Sequence, residues 1–152
     1  MPGLADAAAE LEALAFRLRR AGDGGLLREV TRAMRDAAEP VPGEIRADLA
    51  PHLPNRYAAD LDADVRLGVS VRTGQGDPGV SVTGQATGSA RRLRTLDAGI
   101  LHHPLWGDRE HWRRQEVQPG WFTGPAEAGG PRVRTAIEQA LEDVAAKAVK
   151  GA

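Results

Sequence analysis

The chain of 152 residues contains no cysteine, only 4% aromatic residues, and no apolar run approaching the roughly 20 residues that a membrane-crossing helix requires. The first absence removes disulfides, zinc-thiolate sites and thiol nucleophiles together, so any metal would have to be held by histidine and carboxylate. Lysine is nearly missing as well: Lys147 and Lys150 are the only two among twenty basic residues. Alanine, glycine and proline are abundant, a pattern expected of GC-rich codons, and it weakens any functional reading of arginine count alone. No charge excess exists either. Twenty basic residues against 21 acidic ones leave a net charge of −1, which argues against a dedicated nucleic-acid binder that must offset many phosphates. Met1-Pro2-Gly3-Leu4-Ala5-Asp6 lacks a basic region followed by an apolar run, so a soluble, unexported protein is expected.

What is present divides by period. Leu4, Leu11, Leu14 and Leu18 share one stripe of a predicted helix that Gly22-Asp23-Gly24-Gly25 ends. Leu27, Val30, Met34 and Ala37 mark a second helix, and Ile45 and Leu49 a short third between Pro40, Pro42 and the closing pair Pro51 and Pro54. Val65, Leu67, Val69 and Val71 then alternate with polar residues, and Val80-Ser81-Val82-Thr83 alternates again after Gly74-Gln75-Gly76-Asp77-Pro78-Gly79. That glycine-rich stretch reads as a hairpin turn, since a phosphate-binding loop would open a helix and carry a lysine. Arg92-Leu93-Arg94-Thr95-Leu96 is a candidate third strand and Arg113 to Val117 a fourth. Gly129-Gly130-Pro131 leads into a helical face of Val133, Ile137, Ala140, Leu141, Val144 and Ala148. The expected fold is a single α+β domain over 1–152: helical 4–50, β-hairpin 64–83, loop and strands 91–122, and C-terminal helix 131–149 packed with the N-terminal helices on a small antiparallel sheet.

The scarce aromatics are concentrated. Leu101-His102-His103-Pro104-Leu105-Trp106-Gly107-Asp108-Arg109-Glu110-His111-Trp112, with Pro119-Gly120-Trp121-Phe122, holds all three tryptophans, one of two phenylalanines and three of four histidines. His102, His103 and His111, near Asp97, Asp108 and Glu110, are candidate His/carboxylate ligands for zinc, iron or manganese. Adjacent histidines on an extended chain point to opposite sides, however, and no His-Glu-x-x-His helix is present. None of Ser70, Ser81 and Ser89 sits in a nucleophile elbow. Arg91, Arg92 and Arg94, and then Arg109, Arg113 and Arg114 interleaved with Trp106 and Trp112, are candidates for phosphate pairing and base stacking, with Asp108, Glu110 and Glu116 placed to neutralise the second cluster. The remaining reading is assembly. Leu101, His103, Leu105, Trp106 and Arg109 are the candidate interface residues of a long loop, while Pro104, Gly107, Trp112, Pro119, Gly120, Trp121 and Phe122 are expected to fix its path and tie it to the domain.

His103-Pro104-Leu105-Trp106-Gly107, Trp112, Gln115, Pro119-Gly120-Trp121-Phe122 and the amphipathic C-terminal helix together resemble the tail-component proteins of long-tailed double-stranded DNA phages and prophages. That family includes the tail-completion, head-to-tail joining proteins of the minor tail protein Z kind. The resemblance covers roughly Leu96 to Val149, and in it Asp97-Ala98-Gly99 corresponds to an acidic residue and glycine that end a strand. It implies a structural virion protein without catalysis or cofactor: a hexameric ring at the phage neck or proximal tail, assembled in the host bacterial cytoplasm. Its implied partners are its own copies, head-completion or connector proteins, and tail terminator or tail-tube proteins. DNA would cross the lumen without sequence-specific binding, and no membrane is involved. A tail terminator or a head-completion (stopper) ring is the alternative within that class. A metal-dependent hydrolase built on His102, His103 and His111, and a DNA-binding regulator, are the alternatives outside it.

Overall fold

The computed structural model describes residues 24–73, 79–87 and 92–150, so the helix expected over 4–20, the turn at 74–78, Ser89 and Arg91 lie outside the described residues. The elements in chain order are α1 (Gly24–Ala38), α2 (Val41–Ala47), α3 (Leu49–His52), α4 (Asn55–Asp64), β1 (Val65–Arg72), β2 (Gly79–Ala86), α5 (Leu93–Asp97), β3 (Ile100–Leu105), β4 (Asp108–Glu116), α6 (Thr123–Ala128) and α7 (Gly130–Lys150). The class is α+β, with helices and two separate two-stranded antiparallel sheets, β1-β2 and β3-β4. The four strands therefore do not share one sheet. The described residues gather into two compact units, one within Met1–Pro40, Val69–Val82 and Gly129–Ala152, the other within Val41–Gly68 and Thr83–Ala128.

The first unit is built by two amphipathic helices. Val30 and Met34 of α1 are buried with Ala140 and Val144 of α7, and Leu27, Ile137, Leu141, Val71 and Val80 pack around them. The i, i+4 spacing within each helix puts both pairs on one face, as the helical periodicity requires. Arg132 Nε donates to the carbonyl of Ala37 at 3.2 Å, and Lys147 pairs with Glu29, so polar contacts also link the two helices.

In the second unit, Val41 and Ile45 of α2, Leu49 of α3, Ala58 and Leu61 of α4, and Val65 at the start of β1 are all buried. Helix α4 is absent from the periodicity reading, which closes this region at Pro51 and Pro54. Pro51 in fact lies inside the four-residue α3, and Pro54 immediately precedes α4, where a missing amide proton costs nothing. Arg46 fixes the end of α4: Nη1 meets the Asp62 carboxylate at 2.6 Å and the Asp62 carbonyl at 2.8 Å, and Nη2 meets the Val65 carbonyl at 2.8 Å. A guanidinium is suited to this because the last helical carbonyls lack partners along the chain.

The stretch Arg92 to Leu96, expected as a strand, is helix α5 instead. Leu93 and Leu96 stand three apart, and a helix turns both toward the interior, with Leu96 buried and Leu93 half-buried. Asp97 then ends α5 and organises the backbone beyond the aromatic segment. One of its carboxylate oxygens accepts the backbone N–H groups of Phe122 at 2.8 Å and Thr123 at 3.2 Å, and its carbonyl accepts the N–H of Gly120 at 2.8 Å. Two of the unpaired donors at the start of α6 are thereby satisfied by a residue 25 positions upstream. Gly99 lies beside this knot with φ of +87°, and a Cβ there would stand 2.9 Å from the Val117 carbonyl oxygen. Trp121 is fully buried against Phe122, edge to face with ring centroids 5.6 Å apart. The Phe122 ring in turn closes over Gly84, where a Cβ would meet it at 3.1 Å.

Replacing Asp97 by Ala is expected to cost about 1–3 kcal/mol, because two amide donors lose their acceptor, and Asp97→Asn is expected to restore most of the loss. Gly99→Ala is expected to be more damaging than Asp97→Asn, since steric contact and a left-handed backbone act together. Urea midpoints of the three variants test the order; an unchanged Asp97→Ala midpoint would contradict it.

Candidate functional site

The aromatic segment is a β-hairpin, not the long loop expected of it. β3 and β4 pair antiparallel from Ile100↔Glu116 through Leu101↔Gln115, His102↔Arg114, His103↔Arg113 and Pro104↔Trp112. The register then shifts, so that Leu105 faces Asp108, and Arg109, Glu110 and His111 bulge from β4. Pro104 sits at that irregularity, a place in a strand that tolerates the lack of an N–H donor. Asp108 closes the bulge: Oδ1 accepts the Glu110 N–H at 2.9 Å, and Oδ2 lies 2.7 Å from His111 Nδ1. These two hydrogen bonds, the backbone one foremost, hold the Asp108 carboxyl below its ordinary range.

The turn itself is Trp106-Gly107. Both residues have positive φ, +53° and +83°, as a two-residue hairpin turn of the primed type requires. Glycine takes that backbone freely, while Asn-Gly is the favoured pair. Tryptophan is not favoured there. Trp106 is the one described non-glycine residue with positive φ, a conformation that costs a bulky side chain about 1–3 kcal/mol. Its side chain is nonetheless 96% exposed.

Alternation sorts the remaining candidates. Leu101, expected at an interface, is buried at 7% exposure, because β3 lies on α5 and its odd positions turn inward. His103 follows the same face, half-buried with its ring 5.7 Å from that of Tyr57. His102 points the other way and is exposed. Leu105 is half-buried, and Arg109 is exposed on the bulge. Trp112, expected to tie the segment to the domain, is instead 53% exposed, its indole N–H donating to the Arg109 carbonyl at 2.8 Å. Every residue of β4 is exposed, so the strand offers Trp112 no cover to fold under. The anchoring expected of this whole set is met at the base, by buried Trp121, half-buried Phe122 and Gly120 with φ of +90°. Pro119 is exposed there, Pro104 is half-buried within β3, and Gly107 is exposed in the turn.

The histidines do not converge. Among the described residues no group of three or more His, Asp or Glu is arranged to hold a metal ion. Arg92 and Arg94 are exposed at α5, and Arg113 and Arg114 on β4, with Arg114 Nη2 4.0 Å from Glu116 Oε1. No described helix is long and apolar enough to cross a membrane. Beneath the hairpin runs an open groove of about 1610 Å³, floored by Leu53, Tyr57, Leu61, Leu96 and Leu101. Sequence reasoning missed this groove because one wall of it comes from α4, through Arg56, Tyr57, Asp60, Leu61 and Asp64, and the buried apolar positions of that helix, Ala58 and Leu61, are too few to signal it.

No protein-family model, no curated protein and no solved structure matches this chain.

The turn and the bulge each carry an expected outcome. Trp106→Asn is expected to preserve the fold and raise stability by about 1 kcal/mol, since Asn-Gly adopts the same turn with less strain; a lowered urea midpoint would show Trp106 to be part of the core. The Asp108 carboxyl is expected to titrate below 3.8 in the folded chain. Being depressed on folding, its contribution to the hairpin is present above the unfolded value and is lost as pH falls through the folded one; NMR titration of the side-chain carboxyl measures it.

Proposed function

We propose that this chain is a structural virion protein of the phage neck or proximal tail, forming a ring that joins the tail to the DNA-filled head and lets the genome pass. The observation that carries the reading is Trp106, held in a left-handed turn at the tip of a hairpin and 96% exposed. A large apolar side chain left in water on a strained backbone suits a docking element, because buried aromatic anchors dominate interface energetics. The resemblance of Leu96 to Val149 to tail-completion proteins supplies the setting, and near-neutral charge suits a conduit along which DNA must slide. In this reading the chain's partners are its own copies and the neighbouring connector and tail proteins, and its place is the virion.

Deleting the gene from its phage is expected to yield filled heads and separate tails that fail to join, visible by electron microscopy, with infectious titre reduced by several orders of magnitude. Normal joined particles would overturn the assignment. Finished tails of uncontrolled length would reassign the ring to the tail terminator.

A further inference from the structure

We propose that the groove between α4 and the β3-β4 hairpin binds a neutral oligosaccharide, with the Trp112 ring as its stacking platform and the polar side chains of α4 as its hydroxyl-binding wall. The proposal goes beyond the neck reading and does not rest on it. Trp106 keeps its docking role, since Trp112 is the aromatic surface used here.

The two walls differ in kind. On one, α4 turns Arg56, Tyr57, Asp60 and Asp64 to the groove, at the three-, four- and seven-residue intervals that share one helix face. Arg56 and Asp60 are exposed and Tyr57 and Asp64 half-buried, and Arg56, Asp60 and Asp64 form no ion pair among the described residues. Asp60 and Asp64 stand one turn apart with like charge, a spacing that destabilises a helix. Their carboxylates are thus left open as acceptors at a local cost. On the other wall, Trp112 of β4 is 53% exposed. Its indole N–H is already given to the Arg109 carbonyl, which fixes the side chain and leaves an apolar ring face as what it offers.

These walls select their occupant. An apolar molecule would find little surface, because the leucines of the floor, Leu53, Leu61, Leu96 and Leu101, are each at most 9% exposed. A polyanion would meet Asp60 and Asp64, and a polycation would meet Arg56, Arg92 and Arg109. An extended peptide is held by the main-chain groups of a sheet edge or by apolar side-chain pockets, and a helical wall over a covered floor offers neither. A neutral sugar has the complementary chemistry. Its C–H faces pack on an indole, and each hydroxyl both donates and accepts, so carboxylate, guanidinium and the Tyr57 hydroxyl can all bind it without a charge to be neutralised. At about 1610 Å³ the groove exceeds the roughly 300–1,000 Å³ of small-molecule sites, which fits a chain of several sugar units better than one.

The test uses the full-length chain, screened on an array of neutral glycans and titrated by NMR with maltohexaose, cellohexaose and chitohexaose at millimolar concentration. Saturable binding of at least one neutral glycan is expected, with shifts in the Trp112 indole and in α4 and no weakening as salt is raised. Trp112→Ala is expected to weaken binding about 30-fold and Asp60→Ala about 10-fold, while Trp112→Phe, which keeps an aromatic face, retains most of it and Arg35→Ala on α1 leaves it unchanged. Circular dichroism checks that each variant is folded. Binding of no neutral glycan would overturn the proposal, as would binding that Trp112→Ala leaves intact. Salt-sensitive binding of a single-stranded oligonucleotide in place of any glycan would assign the groove to nucleic acid and overturn it as well.

Discussion

The Asp97 carboxylate is the constraint on which the hairpin depends. A two-stranded hairpin is marginal by itself, and β4 has no cover over any of its residues. Its base must be held from outside. Asp97 does so by gathering, within one side chain and one carbonyl, the N–H groups of Gly120, Phe122 and Thr123, while the Gly99 carbonyl accepts from Val117 at the end of β4. The chain entering β3 and the chain leaving β4 are thereby fastened to one another, and Trp121 is set into the interior just beyond the knot. Apolar burial supplies the stability of that arrangement. The carboxylate supplies its geometry, since an apolar side chain would leave the Phe122 and Thr123 amides without this acceptor.

From that base the hairpin departs from what stability alone would select. Three hydrogen bonds close the bulge within the hairpin: Asp108 accepts the Glu110 amide and pairs with His111, and the Arg109 carbonyl accepts the Trp112 indole N–H. At the tip a local preference goes against the fold, with tryptophan where asparagine would fit. Violations of local rules concentrate where a protein acts, because elsewhere nothing offsets their cost. Trp106 is such a violation twice over, in backbone and in exposure.

How far the sequence declares this depends on the element. Helices α1 and α7 are legible because their apolar residues recur at full helical spacing, and the β1-β2 pair because alternation runs through both strands. Arg92 to Leu96 misleads because five residues with leucine at the second and fifth positions fit a strand or a helix turn, and only the packing of Leu93 and Leu96 decides. α6 carries Gly124 and Pro125 and buries nothing, so it leaves no periodic signal at all. The candidate site is legible in composition and illegible in form. Trp-Gly is not a turn signature, and Pro104 argues against a strand, so a hairpin reads as a loop. Leu101 and Trp112 then exchange roles, since which of them faces inward is set by register.

The geometry of the hairpin also bears on what it can do well. A flexible loop of this composition would collapse its tryptophans onto the nearest apolar surface, which here is the groove directly below, and would lose conformational entropy each time it was drawn out to meet a partner. Pairing β3 with β4 prevents that collapse. The left-handed turn directs the Trp106 indole outward, and the bulge stiffens the strand behind it, so the strain of the turn is borne once, on folding. The same pairing keeps the groove open while its floor residues Leu61, Leu96 and Leu101 remain buried. Exposure of one large side chain and openness of the surface beneath it are thus two results of a single piece of backbone geometry, anchored at Asp97.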